Sequence, residues 1–134
     1  GGILLEAGLI GCDVIGGDID QRMIDGTLLN LEHYGIGPEL RAQDISCWKG
    51  LSGKIDAIAT DPPYGRSATT AKEPVGSLYR RAFEVCQEVL EPGGKLAIVL
   101  PEEEYAEMAE MERELVVPVR VHRSLTRHFC VFRN

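Results

Sequence analysis

Short apolar runs ending in acidic residues or prolines alternate along the chain with longer amphipathic stretches. Such runs predict buried strands, and they are "CDVIGGDID" (12–20), "KIDAIATDPP" (54–63) and "KLAIVL" (95–100). The last run is continuous, which predicts a strand covered on both faces. A further strand is predicted at "ELRAQDIS" (39–46).

The stretches between these runs carry apolar residues at helical spacing. Residues 2–11 predict a short helix that ends at a glycine, and Asp20 is placed to cap a second helix. Ser77 is placed to cap a third helix, "EPGG" (91–94) predicts a turn, and residues 102–114 predict an acidic helix. The apolar faces expected on the second and third helices comprise Met23, Ile24, Thr27, Leu28 and Leu31, and Leu78, Ala82, Val85, Cys86 and Val89.

The C-terminal segment predicts an antiparallel hairpin formed by residues 115–124 and 126–134, in which Pro118 places the first strand at a sheet edge. Strands separated by helices predict an α/β fold with a doubly wound parallel sheet. Ligands bind such sheets beyond the carboxyl ends of the strands. We therefore expect the chemistry just after residues 18, 44, 61 and 100.

Composition narrows the class of protein. The 134 residues suit a single domain, and no stretch is apolar enough to cross a membrane. The net charge is −7, which excludes an overall basic footprint for nucleic acid, yet residues 115–134 carry four arginines and no acid. The cysteines are scattered, which argues against a zinc site and a disulfide framework and favours the cytoplasm: they are Cys12, Cys47, Cys86 and Cys130.

Two acids follow predicted strands near the start of the chain. A carboxylate at Asp18, directly after an apolar run, is placed to accept the hydroxyls of a ribose, whereas helix capping alone explains Asp20. Asp44 is placed to accept from an adenine amino group while Ile45 packs on the ring. An aspartate that only forms a turn is an equally good interpretation of Asp44.

The tetrapeptide Asp61-Pro62-Pro63-Tyr64 carries the strongest chemical signal. Two prolines fix φ and remove two N–H groups, so the backbone after the strand becomes a stiff arm. Such an arm presents the Asp61 carboxylate and a nearby carbonyl as acceptors for the two hydrogens of an NH2 group. The Tyr64 ring offers a face for stacking a flat group. An ordinary Asp-Pro turn is the plainer alternative.

Two weaker signals lie at the ends of the chain. Gly1 and Gly2 lead into a helix, as in turns that let a cofactor approach the backbone, although they also suit a remnant of cloning. The segment "RVHRSLTRHF" (120–129) is suited to contact phosphates or bases, or is a solvated hairpin.

Together these residues resemble the class I S-adenosylmethionine-dependent methyltransferases that methylate amino groups through an (Asp/Asn/Ser)-Pro-Pro-(Tyr/Phe) motif. The extension "GRSATT" (65–70) and the end "HRSLTRHF" (122–129) are similar to archaeal-type tRNA guanine N2-methyltransferases acting at position 10. The resemblance implies a Rossmann-like sheet of order 3-2-1-4-5-7-6 with a C-terminal antiparallel hairpin. It also implies tRNA as a partner, bound mainly through an N-terminal THUMP-type region, and no metal or membrane.

The resemblance also implies roles for single residues. The cofactor S-adenosyl-L-methionine would contact Asp61 as well as residues near the start of the chain, which are Gly1, Gly2, Asp18, Ile19, Asp44 and Ile45. Catalysis would rest on Asp61, Pro62, Pro63 and Tyr64. Substrate contacts would come from Tyr64, Arg66, Ser67, Arg123 and Arg127.

The chain departs from this family at its start, because Gly1 and Gly2 match only the tail of a glycine-rich motif that resembles Asp-Pro-Phe-Cys-Gly-Thr-Gly-Gly. We therefore expect a fragment that lacks the first strand, is inactive alone and binds the cofactor poorly. The gap would be closed by pairing of the flanking strands or by self-association.

The tetrapeptide alone does not exclude methylation of adenine N6 in DNA or RNA, or of a protein glutamine. A nucleotide-binding domain without catalysis is a further alternative, which the retained tetrapeptide disfavours.

Overall fold

The computed structural model describes residues 1–64 and 73–134, which form two compact units, Gly1–Cys47 and Trp48–Asn134. The helices and strands are α1 (Gly2–Leu9), β1 (Ile15–Asp18), α2 (Gln21–His33), β2 (Glu39–Ala42), β3 (Ile55–Thr60), α3 (Val75–Val89), β4 (Leu90–Leu100), β5 (Glu112–His122) and β6 (Leu125–Arg133), with 3₁₀ helices at Ile45–Leu51 and Glu103–Met108.

The first unit pairs β1 with β2 in parallel, from Ile15 opposite Glu39 to Asp18 opposite Ala42. The predicted cap of α2 is confirmed, because the Asp20 side chain accepts a hydrogen bond from the Arg22 N–H at 2.9 Å. Of the apolar face expected on this helix, three residues are buried: Ile24, Thr27 and Leu31.

The short helix predicted at the start of the chain is confirmed as α1, which ends just before Gly11 at φ 93°. Its Leu4 side chain lies against Gly16 of β1, where a Cβ would come within 2.2 Å of Leu4 Cδ1. A Cβ at Gly1 would lie 2.4 Å from Thr27 Cγ2 of α2. Glycine at positions 1 and 16 therefore permits the close packing of this unit.

The second unit contains a four-stranded sheet of order β3-β4-β6-β5. Strands β3 and β4 are parallel, and the C-terminal hairpin of β5 and β6 adds to β4 through antiparallel pairing. Within each unit, the order agrees with the matching part of the predicted order, 3-2 in the first and 4-5-7-6 in the second. The α/β class predicted from the alternating pattern is confirmed.

The core of the second unit lies on one face of this sheet. Strand β4 alternates, with Leu96, Ile98 and Leu100 buried while Ala97 is exposed. The prediction that "KLAIVL" is covered on both faces is therefore wrong. The helix α3 packs on the covered face through residues that are all nearly inaccessible to solvent, which are Tyr79, Phe83 and Cys86.

The start of α3 differs from the prediction. The helix begins at Val75 after an N-cap at Pro74, so Ser77 is not the cap and instead lies in the first turn. The Ser77 N–H donates to the Pro74 carbonyl at 3.0 Å. Proline is tolerated at this position because the first N–H groups of a helix have no intrahelical partner, so no hydrogen bond is lost with its missing N–H.

The turn predicted at residues 91–94 is instead part of β4, with Gly93 at φ 85°. The C-terminal residue supplies the reason, since Gly93 N–H donates to the Asn134 carbonyl and Asn134 N–H donates to the Gly94 carbonyl, both at 2.9 Å. These bonds fix the segment beside the C-terminus, while the register of β4 against β3 is irregular here and jumps from Leu90 opposite Ile55 to Lys95 opposite Ala57.

The acidic helix predicted at residues 102–114 is also wrong. Only Glu103–Met108 is helical, as a 3₁₀ helix, and β5 begins at Glu112. Glutamates three or four residues apart repel one another on a helix, whereas pairing with β6 satisfies the backbone from Glu112 onward.

The hairpin of β5 and β6 is confirmed, and β5 is the edge strand, as Pro118 predicted. In the part of the chain that the structure describes, no helix has both the length and the apolar character needed to cross a membrane.

Candidate functional site

The predicted acid, proline and tyrosine motif directly follows β3, at the carboxyl end of that parallel strand. The Tyr64 hydroxyl donates a hydrogen bond to Asp61 Oδ1 across the two prolines. The aromatic ring and the carboxylate are thus joined into one unit at the end of the strand. Both groups remain accessible, with the Asp61 side chain 38% exposed.

Arg127 of β6 reaches the same motif. Because β6 runs antiparallel to β4, and β4 runs parallel to β3, the start of β6 lies at the sheet edge where β3 ends. Arg127 Nη1 lies 3.8 Å from Asp61 Oδ2, and its guanidinium carbon lies 5.3 Å from the centroid of the Tyr64 ring. The structure therefore brings together Asp61, Tyr64 and Arg127.

A buried tyrosine of α3 hydrogen-bonds to the backbone of the proline arm. The Tyr79 hydroxyl donates to the Pro63 carbonyl at 3.4 Å, and the Tyr79 ring stacks on Tyr105 with centroids 4.8 Å apart. Burial raises the pKa of Tyr79 well above its ordinary value. The hydroxyl therefore stays protonated and remains a donor to the arm.

Tyr79 was not among the residues predicted for the site. The available signal was its spacing, because Tyr79 shares one face of α3 with Ala82, Phe83 and Cys86, all buried. The predicted apolar face instead began at Leu78, one position too early, and that residue is only partly buried.

Burial, reinforced by the hydrogen bond to Asp61, raises the pKa of Tyr64 from 10.0 to about 12. The folded protein therefore disfavours the phenolate. It follows that the Tyr64 hydroxyl is a donor throughout the neutral range.

This pKa predicts a loss of stability in alkali. A group whose pKa is raised on folding contributes stability that is complete below its unfolded pKa of 10.0 and is lost as the pH rises through about 12. The variant Tyr64→Phe should therefore show a shallower fall in unfolding free energy between these values. Cys86, whose pKa burial raises to about 12, still titrates in the variant, so the slope should shrink without vanishing. Urea unfolding at a series of pH values measures both slopes, and identical slopes would contradict the prediction.

The predicted nucleotide contacts lie in the first unit. Asp18 and Asp44 follow the carboxyl ends of the paired strands β1 and β2. Asp18 Oδ1 accepts from the Asp20 N–H at 2.8 Å, and Asp44 Oδ1 accepts from the Ser46 N–H at 2.9 Å. Both interpretations of Asp44 therefore remain open, since it forms a turn at a position where a ligand could bind.

Apolar and amide groups surround these acids. Ile19 is 58% exposed directly after Asp18, and Ile45 is partly buried at the start of the first 3₁₀ helix. Gln43, which was not predicted, has a buried Nε2 without a hydrogen-bond partner in the described part of the chain. An orphaned buried donor beside two carboxylates suits a polar ligand.

Of the three remaining predicted site residues, the structure describes one. Arg66 and Ser67 lie outside the described residues. Arg123 lies exposed in the turn between β5 and β6. Within residues 1–64 and 73–134, no three His, Cys, Asp or Glu side chains are grouped to hold a metal ion.

Solved structures of other proteins have the same fold as this chain. The structure of TrmN from Thermus thermophilus matches 98% of this chain and 40% of its own, with a TM-score of 0.80 at 20% identity. The PH0226 protein of Pyrococcus horikoshii matches 99% of this chain and 76% of its own, with a TM-score of 0.78 at 14% identity. Both likenesses concern the fold.

Sequence comparison finds curated relatives. A tRNA (guanine(10)-N2)-dimethyltransferase of Methanothermobacter thermautotrophicus is 45% identical over 131 residues, which are 95% of this chain and 39% of the relative. A probable enzyme of the same name from Methanothermococcus thermolithotrophicus is 35% identical and covers all of this chain, which spans 83% of that relative. The chain thus spans about two fifths of the first relative.

The family model described as UPF0020, RMKL-like, methyltransferase domain matches residues 1–128. The chain therefore belongs to the RMKL-like methyltransferase domain family.

Proposed function

We propose that this chain carries the catalytic residues for transfer of a methyl group from S-adenosyl-L-methionine to the N2 amine of a guanosine in tRNA, at position 10. The observation that carries the proposal is the joined group of Asp61, the proline arm and Tyr64 at the carboxyl end of β3. The names of the relatives support the choice of guanosine and of tRNA.

The motif has the acceptors that a planar amine requires. Asp61 offers a carboxylate oxygen to one amine hydrogen, and a carbonyl of Pro62 or Pro63 takes the other. The Pro63 carbonyl already accepts from Tyr79, which fixes the direction of the arm while leaving a second lone pair. Two acceptors at fixed positions orient the nitrogen lone pair, which is otherwise delocalised into the guanine ring.

The cofactor supplies, when bound, a methyl group on a positively charged sulfur. That methyl carbon would be the electrophile for the N2 nitrogen, and the electron pair of the carbon–sulfur bond would stay with the leaving sulfur. Asp61 then takes the proton that the nitrogen loses. Tyr64 stacks on the guanine, which must first leave its base-paired stack.

The first unit has residues that fit the nucleoside part of the cofactor. Asp18 retains an exposed carboxylate suited to ribose hydroxyls, and Asp44 follows the neighbouring strand with Ile45 beside it. The unpaired amide of Gln43 offers a donor to a polar group. Gly1 and Gly2 stand at the amino end of α1, where backbone N–H groups are available.

The charge distribution suits a division of RNA binding between the C-terminal hairpin and another region of the enzyme. All 21 acidic residues precede residue 115, while the rest of the C-terminal hairpin, residues 115–134, carries four arginines. We assign only local RNA contacts to this hairpin and the main affinity to a THUMP-type region of the longer enzyme. The four unpaired cysteines agree with a reaction in the cytoplasm.

A methyl-transfer assay tests the proposal. The longest natural chain that carries these residues is incubated with tritiated S-adenosyl-L-methionine and with tRNA, duplex DNA or a protein extract. We expect label in tRNA alone. Label in DNA or protein would assign one of the other amino-methylating functions, and absence of label from all three would favour a non-catalytic domain.

A further inference from the structure

Arg127 contacts both functional members of the motif at the end of β3. We propose that Arg127 is a positioning residue, which holds the Asp61 carboxylate and the Tyr64 ring in the orientation that accepts the amine. This inference rests on the proposed function for its kinetic consequences. It replaces the expectation that Arg127 binds substrate directly through a phosphate or a base.

The contacts of Arg127 point toward the motif. Nη1 lies 3.8 Å from Asp61 Oδ2, while the guanidinium carbon lies 5.3 Å from the centroid of the Tyr64 ring. One planar cation thus meets a carboxylate and an aromatic face, a combination that guanidinium satisfies better than ammonium. The Nε atom is buried and has no partner within the described residues.

An arginine that binds phosphate is expected to be more exposed than Arg127. Arg123, four residues earlier, is exposed in the turn of the hairpin, where its side chain is available to a charged backbone. The Arg127 side chain is only 36% exposed. The two arginines of one hairpin therefore suit different tasks, and Arg123 supplies a matched comparison.

The two oxygens of Asp61 are held by different partners. The Tyr64 hydroxyl donates to Oδ1 and Arg127 lies beside Oδ2, so the carboxylate is held from both sides. When an amine takes the place of the Tyr64 hydroxyl on Oδ1, the charge of Arg127 beside Oδ2 would continue to favour this orientation of the carboxylate. Partly exposed ion pairs contribute little to stability, so loss of Arg127 should affect position more than folding.

Steady-state kinetics of Arg127→Ala, Arg127→Lys and Arg123→Ala test the assignment in the longest natural chain that carries these residues. Arg127→Ala should lower kcat on the order of 10–100-fold while KM for tRNA stays within about threefold. Arg127→Lys should recover part of kcat, because it restores the charge without the flat face. Arg123→Ala should instead raise KM for tRNA with little change in kcat, as expected of a residue that contacts only the RNA backbone. A rise in KM with unchanged kcat for Arg127→Ala, weakening with added salt, would overturn the proposal in favour of a phosphate contact.

A second measurement does not depend on activity. In protein labelled with ¹³C-tyrosine, Arg127→Ala should shift the Tyr64 ring resonances, and Arg123→Ala should not. Unchanged Tyr64 resonances in Arg127→Ala would overturn the assignment even if the wild-type protein methylates no substrate. A shifted Tyr64 resonance, together with a wild-type protein that methylates no substrate, would support the positioning contact and contradict the proposed reaction. Matching thermal unfolding curves establish that the variants are folded.

Discussion

Replacing Asp61 with alanine should reduce the turnover of methyl transfer by about 100-fold or more, and should reduce turnover far more than the affinity for S-adenosyl-L-methionine. The side chain receives the Tyr64 hydroxyl on one oxygen and faces Arg127 with the other. Its removal takes away the fixed acceptor for one amine hydrogen and the site that receives the departing proton. Both losses act on the reaction step.

Single-turnover kinetics and calorimetry separate the two effects. Asp56→Ala is the matched control, because Asp56 is an exposed aspartate on β3 itself, before the motif. This variant should retain both activity and cofactor affinity. An Asp61→Ala variant that loses cofactor affinity by the same factor as turnover would instead give Asp61 a mainly binding or structural role.

Replacing Phe132 with alanine should lower the free energy of unfolding by about 3–5 kcal/mol, because it empties the centre of the core. Phe132 is 0% exposed and lies opposite Leu96 of β4. Its ring meets Phe83 of α3 edge to face, with centroids 5.5 Å apart. The substitution therefore removes a contact between the helix and the sheet on the covered face.

The control lies on the same strand. Phe129 is on the opposite face of β6 and is 42% exposed, so Phe129→Ala should change the free energy of unfolding by no more than about 1 kcal/mol. Urea denaturation followed by circular dichroism measures both variants. Equal losses would mean that both faces of the sheet are covered in solution.

Much of the fold was predictable because it depends on local pattern. Apolar runs marked the cores of β3 and β4, and an aspartate at the right position marked the start of α2. Pro118 could be assigned to an edge strand because proline removes a backbone donor. The group formed by residues 61–64 was also predictable from local pattern, because its four residues are consecutive in the sequence.

The parts that were wrong depend on distant residues. Gly93 and Gly94 bond to the distant Asn134, and residues after 111 form strand because β6 offers a partner. The contact between Arg127 and Asp61 joins positions 66 residues apart and follows from the order of the sheet. Local sequence pattern carries no information about such pairs. The contacts of Arg127 and Tyr79 with the motif could therefore be found only from the structure.

Nucleoside mass spectrometry tests the proposed methylation of guanosine N2, because it identifies the atom that receives the methyl group. The longest natural chain that carries these residues is incubated with tRNA and S-adenosyl-L-methionine bearing a deuterated methyl group, and the tRNA is then digested. We predict labelled guanosine methylated on N2, and no such label when position 10 is changed from guanosine to adenosine. Label on adenine N6, or label on N2 that survives the change at position 10, would contradict this prediction.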